Sequence, residues 1–332
     1  MTHTLSMNGQ KVPALGLGCW AIGGSFSGWN LALGYGAAED GDSIKAIHAG
    51  LDHGVSYFDT AQAYGIGHSE EILGLALKGR SDVQVSTKIG FGIDLQKREL
   101  LGEEIDEGKL VKGLEASMKR LQRDRLDLVF LHLNDLPWSK AQDVFELLER
   151  MVEAGKIRSY GWSTDFPDRV EAAAHLKNFV AVQHAMNVFF KAEKLFPVVE
   201  KHKLLSINRS PLAMGLLTGK FNASSTLNKN DVRSNNLDWL SYFKDGRPEP
   251  VHLAMLERVR EMLQENGRSL VQGALGWLMA RSPLCLPIPG FRSVAQVEDI
   301  AKALDFGPLS RSRMAEIEQV IARPDEGEPR GR

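Results

Sequence analysis

The chain has 332 residues, 43% of them hydrophobic and 25% charged, which is enough to bury a large core unaided and excludes a disordered chain or a fibre. Its 40 basic and 42 acidic residues leave a formal net charge of -2, so there is no basic field for nucleic acid or anionic lipid, and a small molecule is the expected partner. The opening MTHTLSMNGQKVPALG lacks a basic stretch followed by a long apolar run, and no later segment reaches membrane-spanning length, so a cytoplasmic location is expected.

In chain order, TLSMNGQKV reads as a short hairpin turning at Asn8-Gly9, a dipeptide favoured in type I′ turns. From Leu15 onward, short apolar or β-branched runs alternate with amphipathic stretches. LGLGCW precedes SIKAIHAGLDHG, VSYFDT precedes SEEILGLALKG, and VQVSTKIG precedes GKLVKGLEASMKRL. LDLVFLH, IRSYGWS and VAVQHAM are followed by AQDVFELLERMVEAG, DRVEAAAHLK and AEKLFPVVEKH. LLSINRS leads to LAMLERVREMLQENG, and LCLPIPG to VAQVEDIAKAL. Eight such pairs predict an α/β fold, a closed (β/α)8 TIM barrel with an N-terminal β-hairpin. The alternative is an open doubly wound sheet, but GLGCWAIGG lacks the Gly-x-Gly-x-x-Gly spacing which that fold uses after its first strand. No linker divides the chain, so one domain over 1–332 is expected, with a loose polar tail, RPDEGEPRGR, over about 323–332. Cys19 and Cys285 lack the paired spacing of a zinc site and read as reduced, buried thiols.

Three long connections break the rhythm, at 23–41, 90–108 and 212–250. In a barrel they lie on the C-terminal face, where ligands bind. Trp20, Phe26, Trp29, Tyr35, Trp239 and Phe243 lie in or beside two of them and could wall an apolar pocket. The apolar runs end in polar residues: Asp59, Lys88, His132, Ser163, Gln183 and Ser210. Singly, each has an ordinary structural role, such as a cap, a snorkelling amine or a bonded core histidine. Converging on one barrel mouth, they suggest chemistry. Lys88 needs an anionic partner when desolvated, and Asp59 on the neighbouring strand supplies it. The ammonium is then expected to lower the pKa of Tyr64 from about 10 and make it a general acid for a developing alkoxide. His132 can orient the same oxygen. Carbonyl reduction is the chemistry this suits best.

With these residues in view, the chain from Leu15 to about Leu304 resembles the aldo-keto reductases. FDTAQAYGIGHSEEILG resembles that family's signature, VSTKIG carries its lysine and LDLVFLHLND its histidine. The resemblance implies a catalytic tetrad of Asp59, Tyr64, Lys88 and His132, no metal, and NADPH (NADP+) rather than NADH. It implies cofactor contacts from Trp20, Ser163, Thr164 and Gln183, with Thr164 standing where asparagine is usual and Asn187 in the same motif as Gln183. RSPLAMGLLTGK is similar to the loop over the pyrophosphate, implicating Ser210, Leu212, Gly215, Leu217, Gly219 and Lys220. PIPGFRSVAQVED resembles the segment gripping the adenosine end, implicating Gly290, Arg292, Gln296 and Asp299, with Ile300 replacing a common asparagine. Arg209 stands where an aromatic often stacks on nicotinamide: it either lies near that ring and disfavours the oxidised cofactor, or pairs with an acid on the mouth.

The resemblance implies a carbonyl or alcohol substrate and a monomer or weak homo-oligomer. Other readings are an NADPH-holding sensor subunit, a barrel aldolase with Lys88 as Schiff base, and a metal hydrolase, for which HLN at 132–134 offers a single histidine.

Overall fold

Each of the eight apolar runs forms a strand in the structure, a computed structural model that describes residues 4–7 and 9–331. The strands are β1 (Leu17–Gly18), β2 (Tyr57–Asp59), β3 (Gln84–Ile89), β4 (Leu126–Leu131), β5 (Ile157–Ser163), β6 (Phe179–Ala185), β7 (Leu205–Arg209) and β8 (Cys285–Pro287). They form one parallel sheet in sequential order, β1 to β8. The edges meet: Gly16 and Gly18 donate their N–H groups to Pro287 O (3.0 Å) and Pro289 O (2.9 Å), and Gly18 bridges Gly290. The sheet is therefore a nearly closed barrel and not an open doubly wound one. All six residues of β4 are buried, as expected of a parallel strand covered on both faces. A hairpin of Thr4–Met7 and Gln10–Pro13 precedes the barrel, although Asn8, half of the expected Asn8-Gly9 turn, lies outside the described residues.

The helices around the barrel follow the apolar periodicity: α1 (Asp40–Asp52), α2 (His68–Ala76), α3 (Glu107–Leu121), α4 (Trp138–Glu153), α5 (Pro167–Ala173) and α6 (Phe196–Lys201). In α3 the buried stripe is Leu110, Leu114, Ser117 and Leu121, and Asp106 caps the start by accepting from Lys109 N. The helix expected from Ala192 starts only at Phe196, because Pro197 fits the first turn of a helix and not its interior.

Between β7 and β8 the sequence reading finds one helix, and the structure has two, α7 (Pro250–Leu263) and α8 (Leu270–Arg281). Helix α8 is apolar all round and ten of its residues are buried, so it carries no amphipathic period to detect. Its start is a capping box, with Ser269 and Gln272 satisfying each other's backbone N–H groups. After α9 (Val294–Ala301) and α10 (Ala303–Phe306) comes α11 (Arg311–Val320), which the sequence reading also passes over.

The first two long connections are not irregular. Ser27–Gly28 pairs with Leu31–Ala32 on one side and Glu99–Glu103 on the other, and Glu99–Glu103 pairs in turn with Phe91–Asp94, in a small four-stranded sheet. The tail from Arg323 to Gly331 has the composition of a loose segment, yet it is held to the C-terminal face. Arg323 Nε donates to Val188 O (2.8 Å), Arg330 Nη1 to Asp238 O (2.6 Å), and Asn134 Nδ2 to Arg330 O (2.8 Å). Charge-assisted hydrogen bonds stand in here for apolar contacts. No helix among the described residues is long and apolar enough to cross a membrane.

Helices α7 and α8 touch where Gly273 faces Leu263, and a Cβ on Gly273 would lie 1.9 Å from Leu263 O. Gly273→Ala is therefore expected to lower unfolding free energy by about 1–3 kcal/mol. Urea unfolding of the two proteins measures it, and an unchanged midpoint would mean that the helices separate freely.

Candidate active site

The loop after β2 is placed by two glycines. Gly65 has φ 62°, and a Cβ there would stand 2.0 Å from Gly23 O, so the turns after β1 and β2 touch backbone to backbone. This contact sets Tyr64 against Trp20, their rings stacked at 5.8 Å. Below Tyr64 lies Lys88, fully buried near the end of β3. Its Nζ donates to Asp59 Oδ2 (2.6 Å), Thr60 O (2.7 Å) and Tyr64 Oη (3.1 Å). Asp59 is held in turn: its Oδ1 accepts from Ser86 Oγ (2.7 Å) and Gln183 Nε2 (2.8 Å), and Tyr57 donates to Ser86 Oγ (2.8 Å). Parallel register brings these groups together, since Asp59 pairs with Ser86 and Lys88 with Phe130, two residues before His132. The His132 ring meets Tyr64 edge-on at 5.9 Å and Phe91 at 5.2 Å. The four residues expected to be catalytic thus lie together at the C-terminal ends of β2, β3 and β4.

Above them opens a cleft of about 390 Å³. Asp59, Tyr64 and His132 line it, while Lys88 is sealed beneath. Of the expected cofactor residues, Trp20, Ser163, Gln183, Arg209, Ser210, Leu212, Gly215, Lys220, Gly290, Arg292, Gln296 and Asp299 also line it. Three do not. Thr164 is buried with its hydroxyl on Asn134 O (2.5 Å), Leu217 is fully buried, and Gly219 packs beneath Leu270. Asn187 also faces away, donating to Ser210 O (3.0 Å) and Tyr242 Oη (2.7 Å), and so holds the loop after β7 in place. Ile300 reaches the cleft where the usual asparagine is absent. Of the six aromatics, Trp20, Tyr35 and Trp239 wall the cleft, Phe26 and Phe243 are buried, and Trp29 is 53% exposed at a hairpin tip.

Two arginines on the cleft are each held by a carboxylate. Arg209 pairs with Asp165, the second of its two sequence readings, while still lining the cleft. Arg233, which no sequence signal singles out, lines it too: Asp231 grips its Nε (2.8 Å) and Nη2 (2.6 Å), and it lies over Tyr35 at 5.1 Å. Its only trace in the sequence is the Asp-x-Arg spacing inside an aperiodic loop. That loop is joined across the cleft to the one after β1, with Val232 N donating to Gly34 O (2.8 Å) and Asn235 Nδ2 to Ala32 O (2.6 Å). Arg292 Nη1 holds Tyr35 O at 3.0 Å, and its Nη2 reaches Ala37 O.

Residues 14–322 match the model of the Aldo/keto reductase family. The chain belongs to that family. It is 29% identical to the aldo-keto reductase YhdN of Bacillus subtilis, over 90% of this chain and 87% of that protein. It is 28% identical to a probable voltage-gated potassium channel subunit beta of Arabidopsis thaliana, over 96% and 95%. The fold superposes on an aldo-keto reductase from Klebsiella pneumoniae solved in complex with NADPH, with TM-score 0.70, 25% identity and coverage of 99% and 98%.

In this aldo/keto reductase, burial governs the charges of the site. Burial pushes the Tyr64 phenol above its ordinary value, and Lys88 draws it back only in part, so the lowering expected from the sequence does not prevail. Burial also opposes the Lys88 charge, but Asp59 and Tyr64 outweigh it and the amine stays above its ordinary range. For His132, burial and then the charges of Lys88 and Arg209 hold the imidazole well below its usual value, so it is neutral. Both cysteines are buried free thiols, and burial pushes them upward, Cys285 to about 12.

All five tyrosines, Tyr35, Tyr57, Tyr64, Tyr160 and Tyr242, are shifted upward, with burial the leading cause. Folding therefore favours the neutral phenols, and this stability is complete below the unfolded value near 10 and is lost as pH rises through the folded values. Phenolate absorbance at 295 nm is expected to stay flat up to about pH 10 in the folded protein. A one-tyrosine step below about pH 9 that disappears in Tyr64→Phe would mean that Lys88, and not burial, sets the Tyr64 phenol.

Proposed function

We propose that the protein is an NADP(H)-dependent carbonyl reductase that converts an aldehyde or ketone to its alcohol, with Tyr64 as the general acid. The observation that carries this is the Lys88 ammonium lying 3.1 Å from Tyr64 Oη and 2.6 Å from Asp59 Oδ2, in a cleft shared with His132. The cleft suits a dinucleotide. Lys220, Arg233 and Arg292 line it, and burial first, then Arg233 and Arg292, lower the lysine's pKa, a concentration of cations suited to phosphates. Ser163 and Gln183 line it beside the Asp59–Tyr64 group and offer polar atoms to a carboxamide. When bound, the cofactor supplies the hydride that the carbonyl carbon accepts.

The chain's own residues then handle the oxygen. Neutral His132 donates a hydrogen bond that orients the carbonyl, and Tyr64 passes its phenolic proton to the oxygen as it becomes an alkoxide. A phenol held above its ordinary value is fully protonated at neutral pH, yet an alkoxide is far more basic and takes the proton downhill. Lys88 stabilises the phenolate left behind, and Asp59 keeps Lys88 charged and in position. Alcohol oxidation is the same path reversed. Lys88 is fully buried and does not line the cleft, which argues against a Schiff-base aldolase. The similarity to a channel subunit favours, as a second reading, a regulatory protein that holds the cofactor with little turnover.

Tyr64→Phe is expected to lower kcat for NADPH-dependent reduction by about 10²- to 10⁴-fold while NADPH binding persists. Undiminished turnover in the variant would remove Tyr64 from the acid role. Tight NADPH binding with no wild-type turnover on aromatic, aliphatic and sugar aldehydes and ketones would favour the regulatory reading. Arg292→Ala is expected to weaken NADPH by about tenfold or more while sparing NADH. Because Arg292 also holds Tyr35 O and Ala37 O, the preference ratio is the informative readout, and equal weakening of both cofactors would assign the residue to the loop alone.

A further inference from the structure

Beside the cleft lies a second cavity of about 230 Å³, which shares Arg209, Ser210, Met214 and Trp239 with it. The tail roofs this chamber. Glu326 Oε1 accepts from the backbone N–H groups of Lys191 (2.6 Å) and Ala192 (3.1 Å), and its Oε2 accepts from Glu193 (2.7 Å). Ala192 has φ 55°, the left-handed turn that lets successive N–H groups converge on one anion. The roof is therefore latched at a built anion nest.

Its lining combines apolar walls with buried nitrogens that lack partners. Phe189, Phe190 and Leu195 supply apolar surface. One nitrogen is Nδ1 of His252, a residue 8% exposed, which has no hydrogen-bond partner among the described residues. Burial takes that imidazole down to about 4, so it is neutral, and the rings of Phe189 (5.5 Å) and Tyr242 (5.1 Å) flank it. Arg209 has two more: Nη2 meets Asp165, while Nε and Nη1 are buried without partners. Tyr242 Oη accepts from Asn187 and keeps its own proton to give. Leaving such groups unsatisfied costs about 1–3 kcal/mol each, which a ligand oxygen reaching them through a small shift of the lining side chains would recover. Asp165, Asp238, Asp325, Glu326 and Glu328 line the chamber against Lys194, Arg209 and Arg330, so carboxylates outnumber cations and disfavour an anion.

We infer that the chamber is a second ligand site, selective for a neutral, ring-sized group bearing an oxygen acceptor and linked to the cleft through Arg209. The group is either a separate small molecule or the far end of an elongated substrate. The inference rests on the reading that the cleft holds NADPH, but not on turnover, because its first readout is binding alone.

The test is calorimetric titration of the full chain, saturated with NADPH, with N,N-dimethylbenzamide, a neutral acceptor that carries no reducible aldehyde or ketone. One saturable site is expected, with benzoate binding more weakly. His252→Phe, which removes the buried nitrogen, and Glu326→Ala, which unlatches the roof, are each expected to weaken the amide by about tenfold. Their melting temperature and NADPH affinity should stay at wild-type values. Should either variant fail to fold, Ser241→Trp, on the chamber lining, makes the same test by filling space. Absence of binding to the NADPH-saturated protein, displacement of the amide by NADPH, or equal affinity in all folded variants would overturn the inference. With 4-phenyl-2-butanone as substrate, competitive inhibition by the amide assigns the chamber to the substrate's far end, and noncompetitive inhibition assigns it to a separate molecule.

Discussion

The buried ion pair of Lys88 and Asp59 is the interaction on which the mouth of the barrel depends. Neither side chain is stable there alone: an uncompensated charge at such depth costs several kcal/mol, so each requires the other and a full set of hydrogen bonds. Those bonds join three strands, through Ser86 and Tyr57 on one side and Gln183 on the other. The pair consequently fixes the relative heights of β2, β3 and β6 as well as the proton chemistry above it. An apolar pair of similar volume would serve the fold as well or better, which makes retention of the charges informative about the site and not about stability.

The barrel was legible because parallel strands buried on both faces read as dense apolar runs, and each is followed by a helix with one apolar stripe. Helix α8 was not legible: Leu270 to Met279 are buried on all sides, so no polar face marks the helical period. The two small strands in 90–108 were hidden for a related cause. They pair with each other, but Glu99–Glu103 also pairs with Ser27–Gly28, some 70 residues away, and nothing local records that second pairing. In the tail, hydrogen bonds to backbone carbonyls and amides do what apolar side chains do elsewhere, and composition is blind to them.

At the site, the residues ending strands could be placed from register alone, which brings Asp59, Lys88 and His132 to one rim. What the sequence could not supply was depth. The presence of an ammonium beside a phenol suggests a lowered pKa, but the sign depends on how far water is excluded, and here exclusion prevails. Thr164 shows the same limit from another angle: its position beside Ser163 was evident, yet its hydroxyl turns to Asn134 O and away from the cleft. Arg233 illustrates the reverse case, a cleft residue delivered by a loop without periodicity and held in place by Asp231.

The meeting of Gly23 and Gly65 has a wider meaning. With no room for a methyl group between the two backbones, the location of the Tyr64 hydroxyl is decided by main chain against main chain, upstream of every side chain in the variable loops. The hairpin tip carrying Trp29 and the long segment after β7 can then exchange residues without displacing the acid. Selectivity and chemistry are in this way separable: the outer loops are free to diverge around a reaction centre whose coordinates they do not control.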